Sequence, residues 1–194
     1  MELILIRHGQ SEANAINGKA DVMFTGRWEC SLTEYGIQQA TALREAPCLA
    51  GVERVYASTS LRARQTAACF AEPAQIVADP RLQERSLGQF EGRAIAEIRQ
   101  NPAYRPYFTE PAWMDFRHGF GARAPGGENY QDVCVRVAGF LEELRREPFQ
   151  KVAIVSHLCA IRCMVRMLTG CSEAKALQLA VPQCKPMIFQ LDSP

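Results

Sequence analysis

The stretch LILIRHG, residues 3–9, decides the fold of this chain. Its first four residues form an unbroken apolar run, and Arg7, His8 and Gly9 follow at once. A short apolar run without alternation is typical of a strand that is buried on both faces. The sequence therefore predicts a central strand that delivers polar side chains at its carboxyl end.

Two further segments repeat this pattern: RVYAS at residues 54–58 and KVAIVS at residues 151–156. Each of them also runs directly into polar residues, SerThrSer at 58–60 and Ser156 followed by His157. Residues 75–78 and 187–191 are shorter candidates of the same kind. The sequence thus predicts five strands, several of which end in side chains capable of chemistry.

Helical patterns lie between these strands, at residues 33–45, 61–71, 129–146 and 158–168. Strands that alternate with helices favour an α/β fold, a three-layer α/β/α sandwich with a mostly parallel central sheet. We expect one domain over residues 1–194, because the length is within the usual range for a single core. Ligands of such folds bind beyond the carboxyl ends of the strands.

Residues 101–127 depart from this alternation, since they contain four prolines and six of the sixteen aromatic residues. We expect the prolines to break regular structure and the segment to form a small inserted cap. The alternative is a local aromatic core without a functional role, because aromatic side chains bury wherever they can.

Composition excludes several classes of partner. The chain has 22 Lys and Arg against 21 Asp and Glu, a formal net charge of +1, so neither nucleic acid nor an anionic membrane is an expected partner. The apolar run near the start is too short for a signal peptide or a membrane span. Eight cysteines without a Cys-x-x-Cys pair indicate reduced thiols. We therefore expect a cytoplasmic protein, and the oligomeric state stays open.

Several known chemistries are missing from the sequence. It has no P-loop, no His-Glu-x-x-His and no Gly-x-Ser-x-Gly motif, and its three histidines are far apart in sequence, so no metal site is indicated. Cys48 and Arg54 have the Cys-x5-Arg spacing of cysteine-dependent phosphatases. However, Cys48 does not follow a strand, and Glu53 would repel a phosphate in that loop. We expect no function for this motif.

The predicted strand ends carry a more consistent set of residues. Arg7 with His8, and separately His157, follow central strands, and Arg62 opens the helix after a third strand. If those strands are neighbours, two guanidinium and two imidazole groups converge at one edge of the sheet. Arginine forks match the oxygens of a phosphoryl group, and a histidine beside them can attack phosphorus.

Six sequence blocks strengthen this interpretation, and they span nearly the whole chain. They resemble, in order, the motifs of the histidine phosphatase superfamily, also called phosphoglycerate mutase-like, in its first branch. The blocks are MELILIRHGQSEAN (1–14), TGRWECSLTEYG (25–36), YASTSLRARQTA (56–67), RLQERSLGQFEG (81–92), PGGENYQDVCVRVAGFL (125–141) and VAIVSHLCAIR (152–162). One departure is Leu158, which stands after His157 where the family commonly has glycine.

The resemblance implies a role for each matching residue. It makes His8 the nucleophile that becomes phosphohistidine, Glu84 the proton donor, and a protonated His157 a further catalytic member of the phosphate pocket. The phosphate-binding residues that it implies are Arg7, Arg62 and Asn14, and Thr25 and Gly26 align with a loop on the substrate side. It implies neither a metal nor another cofactor.

The function that follows is a histidine acid phosphatase-like enzyme that hydrolyses a small phosphorylated metabolite without a metal. A phosphoglycerate mutase-type transfer and a non-catalytic phosphate-binding or docking module are the alternatives. We expect the aromatic residues of segment 101–127 and its basic residues to set substrate choice. These basic residues are Arg105, Arg117, His118 and Arg123.

Overall fold

The computed structural model describes residues 1–18, 20 and 22–192, and of His118 the backbone only. Within these residues, five strands form one sheet: β1 (Glu2–Arg7), β2 (Arg54–Ser58), β3 (Ile76–Asp79), β4 (Lys151–Ser156) and β5 (Met187–Gln190). Their order across the sheet is β3-β2-β4-β1-β5, in which β1 to β4 run parallel and β5 pairs antiparallel with β1. The five predicted strands and the mostly parallel sheet are thereby confirmed.

Helices connect the strands. They are α1 (Glu12–Asn17), α2 (Glu34–Thr41), α3 (Leu61–Ala68), α4 (Ile95–Gln100), α5 (Ala112–His118), α6 (Tyr130–Leu144), α7 (Leu158–Thr169) and α8 (Glu173–Gln178). Thr33 and Asn129 cap α2 and α6 by accepting hydrogen bonds from backbone N–H groups of the first turn. None of the described helices is both long and apolar enough to cross a lipid bilayer.

The three layers follow from the alternation of side chains along the central strands. Leu3 and Leu5 of β1 face the core layer that contains α6 and α7, whereas Ile4 and Ile6 face the layer that contains α2 and α3. All four side chains are completely buried. Burial of each side chain stabilises the fold by about 1.5–3 kcal/mol. Because its side chains enter both core layers, β1 joins the two halves of the core.

The expectation that prolines break regular structure in residues 101–127 is wrong. A 3₁₀ helix spans Pro102–Phe108, and Pro111 directly precedes α5. Proline is tolerated there because the first N–H groups of a helix have no partner within the helix. The aromatic side chains of these helices pack around Phe24 and Phe90 as a separate small core. Phe120 instead packs on Tyr130 in the main core.

The loop that leaves β1 lies against the first turn of α2, and two glycines allow this contact. A Cβ at Gly36 would lie 2.0 Å from the backbone oxygen of Gln10, and one at Gly9 would lie 2.5 Å from the oxygen of Gly36. The Thr33 N–H also donates to the Gln10 carbonyl at 2.9 Å. The close approach of these two backbones fixes the segment that carries His8.

We expect Gly36→Ala to lower the free energy of unfolding by about 1–3 kcal/mol, because the new methyl group must push α2 away from residue 10. Urea denaturation measures the change. Gly139→Ala is the matched control, since nothing lies within 4 Å of a Cβ at this exposed position on α6. It should raise the free energy of unfolding by about 0.5–1 kcal/mol. A Gly36→Ala variant as stable as the wild type would contradict the close contact.

Candidate active site

The predicted convergence at the sheet edge is present. In the parallel pair of β1 and β4, Arg7 lies opposite Ser156, so His8 and His157 leave the sheet side by side. The His8 N–H donates to the Ser156 carbonyl at 3.0 Å, and the two imidazole rings meet edge to face with their centroids 5.0 Å apart. Arg62 lies on α3, which follows β2, the other neighbour of β4.

A cavity of about 1110 Å³ opens above this edge. The structure brings the eight predicted site residues together there, because seven of them line the cavity wall and the His157 ring lies against the ring of His8, one of these seven. These seven are Arg7, His8, Asn14, Thr25, Gly26, Arg62 and Glu84.

The His8 ring is held in one tautomer. Its Nδ1 lies 2.7 Å from the Gly9 carbonyl oxygen, which can only accept a hydrogen bond, so Nδ1 carries the proton and Nε2 keeps its lone pair. Burial, together with the positive charges of Arg62 and Arg7, holds the pKa of His8 well below its usual value. At neutral pH His8 is therefore a neutral imidazole with a nucleophilic Nε2.

His157 is fully buried, and its Nε2 lies 2.8 Å from the Ser58 hydroxyl. Its Nδ1 is buried and has no hydrogen-bond partner within the described part of the chain. Burial lowers the pKa of His157 well below 6.5. The neighbouring His8, which would repel a second proton, and the positive charges of Arg62, Arg136 and Arg7 lower it further. The ring is therefore neutral at neutral pH without a ligand, and the protonated His157 of the phosphate-bound site stays a prediction.

The two guanidinium groups are held by backbone carbonyls. Arg62 is almost completely buried, and its terminal nitrogens donate to the carbonyls of Trp28 at 2.8 Å and Gly26 at 3.0 Å. Arg7 donates to the Val181 carbonyl at 3.0 Å. Burial lowers the pKa of Arg7 and the nearby Glu84 charge raises it, but an arginine at such a site stays charged at neutral pH. Both arginines keep further N–H groups for an anion.

Asn14 and the loop at residues 25–26 form the opposite wall. The amide oxygen of Asn14 accepts hydrogen bonds from the Ser11 N–H at 3.1 Å and from the Gln183 side chain at 2.7 Å. The amide N–H₂ of Asn14 is therefore the end that suits a phosphate oxygen. Thr25 accepts a hydrogen bond from Asn17 at 3.3 Å, which ties this loop to α1.

Glu84 is positioned through both its backbone and its carboxylate. Its backbone oxygen accepts from Arg27 and Arg136, each at 3.0 Å, and Glu128 forms ion pairs with both arginines. Its carboxylate accepts from the N–H of Arg85 at 2.8 Å and from the N–H of Cys159 at 3.1 Å. Cys159 is the second residue of α7, so the Glu84 carboxylate lies at the N-terminus of this helix.

Sequence reasoning assigned no role to several residues that complete the site. Ser58 contacts His157, and the Thr66 hydroxyl accepts from the Gly9 N–H at 3.1 Å. The position of Ser58 at the end of a predicted strand could have identified it as a site residue. Nothing in the sequence distinguishes Thr66 from other threonines in helices. Tyr130, Cys159 and Arg162 also line the cavity.

The basic residues expected to set substrate choice do not all reach the site. Arg117 lines the cavity, Arg105 is exposed, and Arg123 forms an ion pair with Asp132 at 3.2 Å. The side chain of His118 lies outside the described residues.

The Cys-x5-Arg segment does not form a phosphate loop. Cys48 lies in a 3₁₀ turn, and Arg54 stacks over the ring of Phe149. The Glu53 carboxylate accepts N–H groups of residues 150 and 151. The hypothesis that this motif has no function agrees with the geometry.

Comparisons with known proteins identify the family of the chain. A family model described as histidine phosphatase superfamily, branch 1, matches residues 3–193. A 2,3-bisphosphoglycerate-dependent phosphoglycerate mutase from Methylobacterium radiotolerans is 29% identical over 198 residues, which cover 98% of this chain and 90% of the mutase.

Two solved phosphatase structures share the fold. The α-ribazole phosphatase from Shigella flexneri superposes with a TM-score of 0.80 at 27% identity, over 97% of this chain and 89% of that one. A mycobacterial glucosyl-3-phosphoglycerate phosphatase has a TM-score of 0.76 at 25% identity, over 94% of this chain and 85% of that one. The relatives thus include both phosphatases and mutases.

The buried neutral histidines predict a pH dependence of stability. Because the pKa of His8 and of His157 is lower in the folded than in the unfolded chain, the unfolded chain binds more protons once the pH falls below about 6.5. We therefore expect the free energy of unfolding to fall from pH 7 to pH 5, by up to about 1.4 kcal/mol per pH unit for each histidine.

Urea denaturation across this pH range in a buffer free of phosphate and sulfate measures the slope. His8→Asn is the comparison, since it removes one of the two groups and should make the slope shallower. Equal slopes for the wild type and the variant would show that His8 is not held neutral by the fold.

Proposed function

The chain belongs to the histidine phosphatase superfamily, branch 1, and from this premise we propose that it is a phosphomonoesterase. It hydrolyses a small phosphorylated metabolite through a phosphohistidine on His8, without a metal. One observation carries the proposal: the hydrogen bond from Nδ1 of His8 to the Gly9 carbonyl leaves Nε2 as a nucleophile in a cavity lined by Arg7 and Arg62.

In the first step the Nε2 lone pair attacks phosphorus, and the bond from phosphorus to the leaving oxygen breaks. Protonated Glu84 gives its proton to that oxygen, because an alkoxide is a poor leaving group. Such acid catalysis contributes about 10²–10⁴-fold. In the second step the Glu84 carboxylate takes a proton from water, the water oxygen attacks phosphorus, and the N–P bond breaks. Inorganic phosphate leaves, and both His8 and Glu84 return to their starting states.

The cationic groups stabilise the transferring phosphoryl group. Arg7 and Arg62 are already oriented by backbone carbonyls, so little reorganisation accompanies the reaction. The buried Nδ1 of His157 offers a further donor to a phosphoryl oxygen. A bound phosphate dianion raises the pKa of both histidines through its charge, which favours a proton on His157 during the transfer.

The proposed substrate is a phosphate monoester whose organic part fills the cavity beyond Glu84. Arg117 of α5 lines the cavity, so we keep segment 101–127 as a cap that influences substrate choice. Two of the related phosphatases are named for sugar or nucleoside-like phosphate esters, which agrees with a small metabolite. All eight cysteines are free thiols, which suits a reducing compartment, and a cytoplasmic location is part of the proposal.

Phosphoglycerate mutase activity is the second candidate, and the mutase from Methylobacterium radiotolerans supports it. A mutase returns the phosphoryl group of phosphohistidine to another hydroxyl instead of to water. Incubation with 3-phosphoglycerate separates the two functions, since a phosphatase releases inorganic phosphate and a mutase forms the 2-phospho isomer. A non-catalytic phosphate-binding or docking module would do neither.

We expect His8→Ala to lower phosphatase activity by more than about 10³-fold and to abolish labelling of the protein by a ³²P phosphomonoester, because in the proposed reaction His8 supplies the nitrogen of the N–P bond. The label on the wild type should be labile to acid, as a phosphoramidate is. Cys48→Ser, which alters the Cys-x5-Arg segment, is the matched control and should retain full activity. Labelling of His8→Ala would rule out His8 as the nucleophile.

Glu84→Gln should slow the hydrolysis of alkyl phosphates by about 10²–10⁴-fold and that of p-nitrophenyl phosphate far less, because p-nitrophenolate leaves without a proton. Steady-state kinetics with both substrates on the same preparation give the ratio. If both substrates slow equally, Glu84 is not the proton donor to the leaving group.

A further inference from the structure

The segment between α8 and β5, residues 179–186, lies outside the six sequence blocks that resemble the family, yet part of it reaches the cavity. Pro182 and Gln183 line the cavity wall, as do Arg7 and Asn14. Nε2 of Gln183 lies 2.7 Å from Oδ1 of Asn14, although the two residues are 169 positions apart in sequence. The segment therefore brings a distant amide group to one of the expected phosphate-binding residues.

Hydrogen bonds hold this segment against the end of β1. The Cys184 N–H donates to the Arg7 carbonyl at 2.9 Å, and residues 7 and 183 form an isolated parallel bridge. In return, Nη1 of Arg7 donates to the Val181 carbonyl at 3.0 Å. The position of Gln183 is thus fixed relative to the strand that directly precedes His8.

Cys184, the residue after Gln183, adopts a strained backbone conformation. Its φ is 49°, and among the described residues it is the only one other than glycines with a positive φ. This conformation is unfavourable for a residue with a Cβ and persists only where the surrounding structure determines it. Cys184 is buried in the core layer that also contains Ile4 and Ile6. The turn that carries Gln183 to Asn14 is therefore imposed by packing rather than by local preference.

The hydrogen bonds of Asn14 determine which end of each amide group meets the other. A backbone N–H can only donate, so the Asn14 atom that lies 3.1 Å from the Ser11 nitrogen is the oxygen Oδ1. The Gln183 atom beside the same oxygen is then its N–H₂ group. The Ser11 hydroxyl, 3.0 Å away, is a third donor to Oδ1. Because its oxygen is occupied by three donors, the N–H₂ of Asn14 is the part that remains for a ligand.

The orientation of the Asn14 amide group matters for phosphate binding because a phosphate dianion has only acceptor oxygens. An N–H₂ group donates to such an oxygen, whereas an amide oxygen in its place would repel the anion. Ser11 and Asn14 belong to one capping box at the start of α1. Gln183 is the donor that reaches Asn14 from a separate element, and it ties this amide group to the end of β1.

We propose that Gln183 is a positioning residue of the phosphate site, which holds the Asn14 amide group so that its N–H₂ donates to the bound phosphoryl group. The inference rests on the proposed function, which supplies a phosphate group as the ligand. Gln183 acts through Asn14 and does not need to touch the substrate. Its effect on phosphate binding should therefore disappear when the Asn14 amide group is removed.

The test is the affinity of the protein for inorganic phosphate, measured by isothermal titration calorimetry as a double-mutant cycle. We expect Gln183→Met, which is similar in size but has no donor, to weaken phosphate binding by about 3–10-fold. In the Asn14→Ala background, the same substitution should change the affinity by less than about 1.5-fold. Gln38→Met, at an exposed position on α2, is the matched control and should bind phosphate as the wild type does.

A second measurement observes the Asn14 amide group directly. Its side-chain N–H₂ signals in an NMR spectrum of ¹⁵N-labelled protein are assigned by their loss in Asn14→Ala. In the wild type these signals should shift when phosphate is added. At saturating phosphate the shift should be smaller in Gln183→Met, because the amide group no longer has a fixed orientation. If Gln183→Met does not fold, Gln183→Ala takes its place in both measurements.

The outcomes separate failure of this proposal from failure of the proposed function. Unchanged phosphate affinity in Gln183→Met overturns the positioning role. Equal losses of affinity with and without the Asn14 amide group also overturn it, because Gln183 would then act on phosphate itself or on the fold. A protein that binds phosphate but hydrolyses no phosphate monoester contradicts the proposed function alone, and the cycle still decides the role of Gln183. A wild type that binds no phosphate overturns both.

Discussion

The parallel pairing of β1 with β4 is the constraint on which the site depends. The register places Arg7 opposite Ser156, and the His8 N–H closes the ladder by donating to the Ser156 carbonyl. Because side chains alternate between the two faces of a sheet, a slip of one residue would send His8 and His157 to opposite faces. The buried apolar residues of β1 fix the register, so packing in the core determines the geometry of the chemistry.

Most of the polar groups that are buried at this edge have hydrogen-bond partners, whereas Nδ1 of His157 has none within the described residues. His8, His157 and Arg62 are each at most 4% exposed, a condition that is unfavourable for isolated charged or polar groups. Backbone carbonyls of residues 9, 26 and 28 accept hydrogen bonds from His8 and Arg62, and Ser58 bonds to His157. The two imidazoles avoid a further penalty by staying neutral. The residual positive charge comes from arginines, which no accessible pH can neutralise.

The parts that sequence predicts well are those set by local pattern. The strands at 54–58 and 151–156 have the predicted boundaries, and the strand ends correctly indicated which side chains meet. The 3₁₀ helix at 102–108 and helix α5 were not predicted, because the prolines were interpreted as breakers of regular structure. Pro102 and Pro111 instead lie at the starts of these two helices. The hydrogen bond between Arg162 and Tyr130 could not be predicted, since it depends on how α6 packs on α7 and no spacing rule joins residues so far apart in sequence.

In the proposed reaction, the one carboxyl group of Glu84 serves two opposite steps. An acid that protonates a leaving group must hold its proton, whereas the base that activates water must have lost it. The Glu84 carboxylate accepts hydrogen bonds from the N–H groups of Arg85 and Cys159, and Glu84 lines the cavity. Arg27 and Arg136 hold the backbone of Glu84, so in the proposed reaction its side chain exchanges a proton without moving from the phosphate. The proposed chemistry therefore requires a fixed position of this segment as much as it requires the carboxyl group itself.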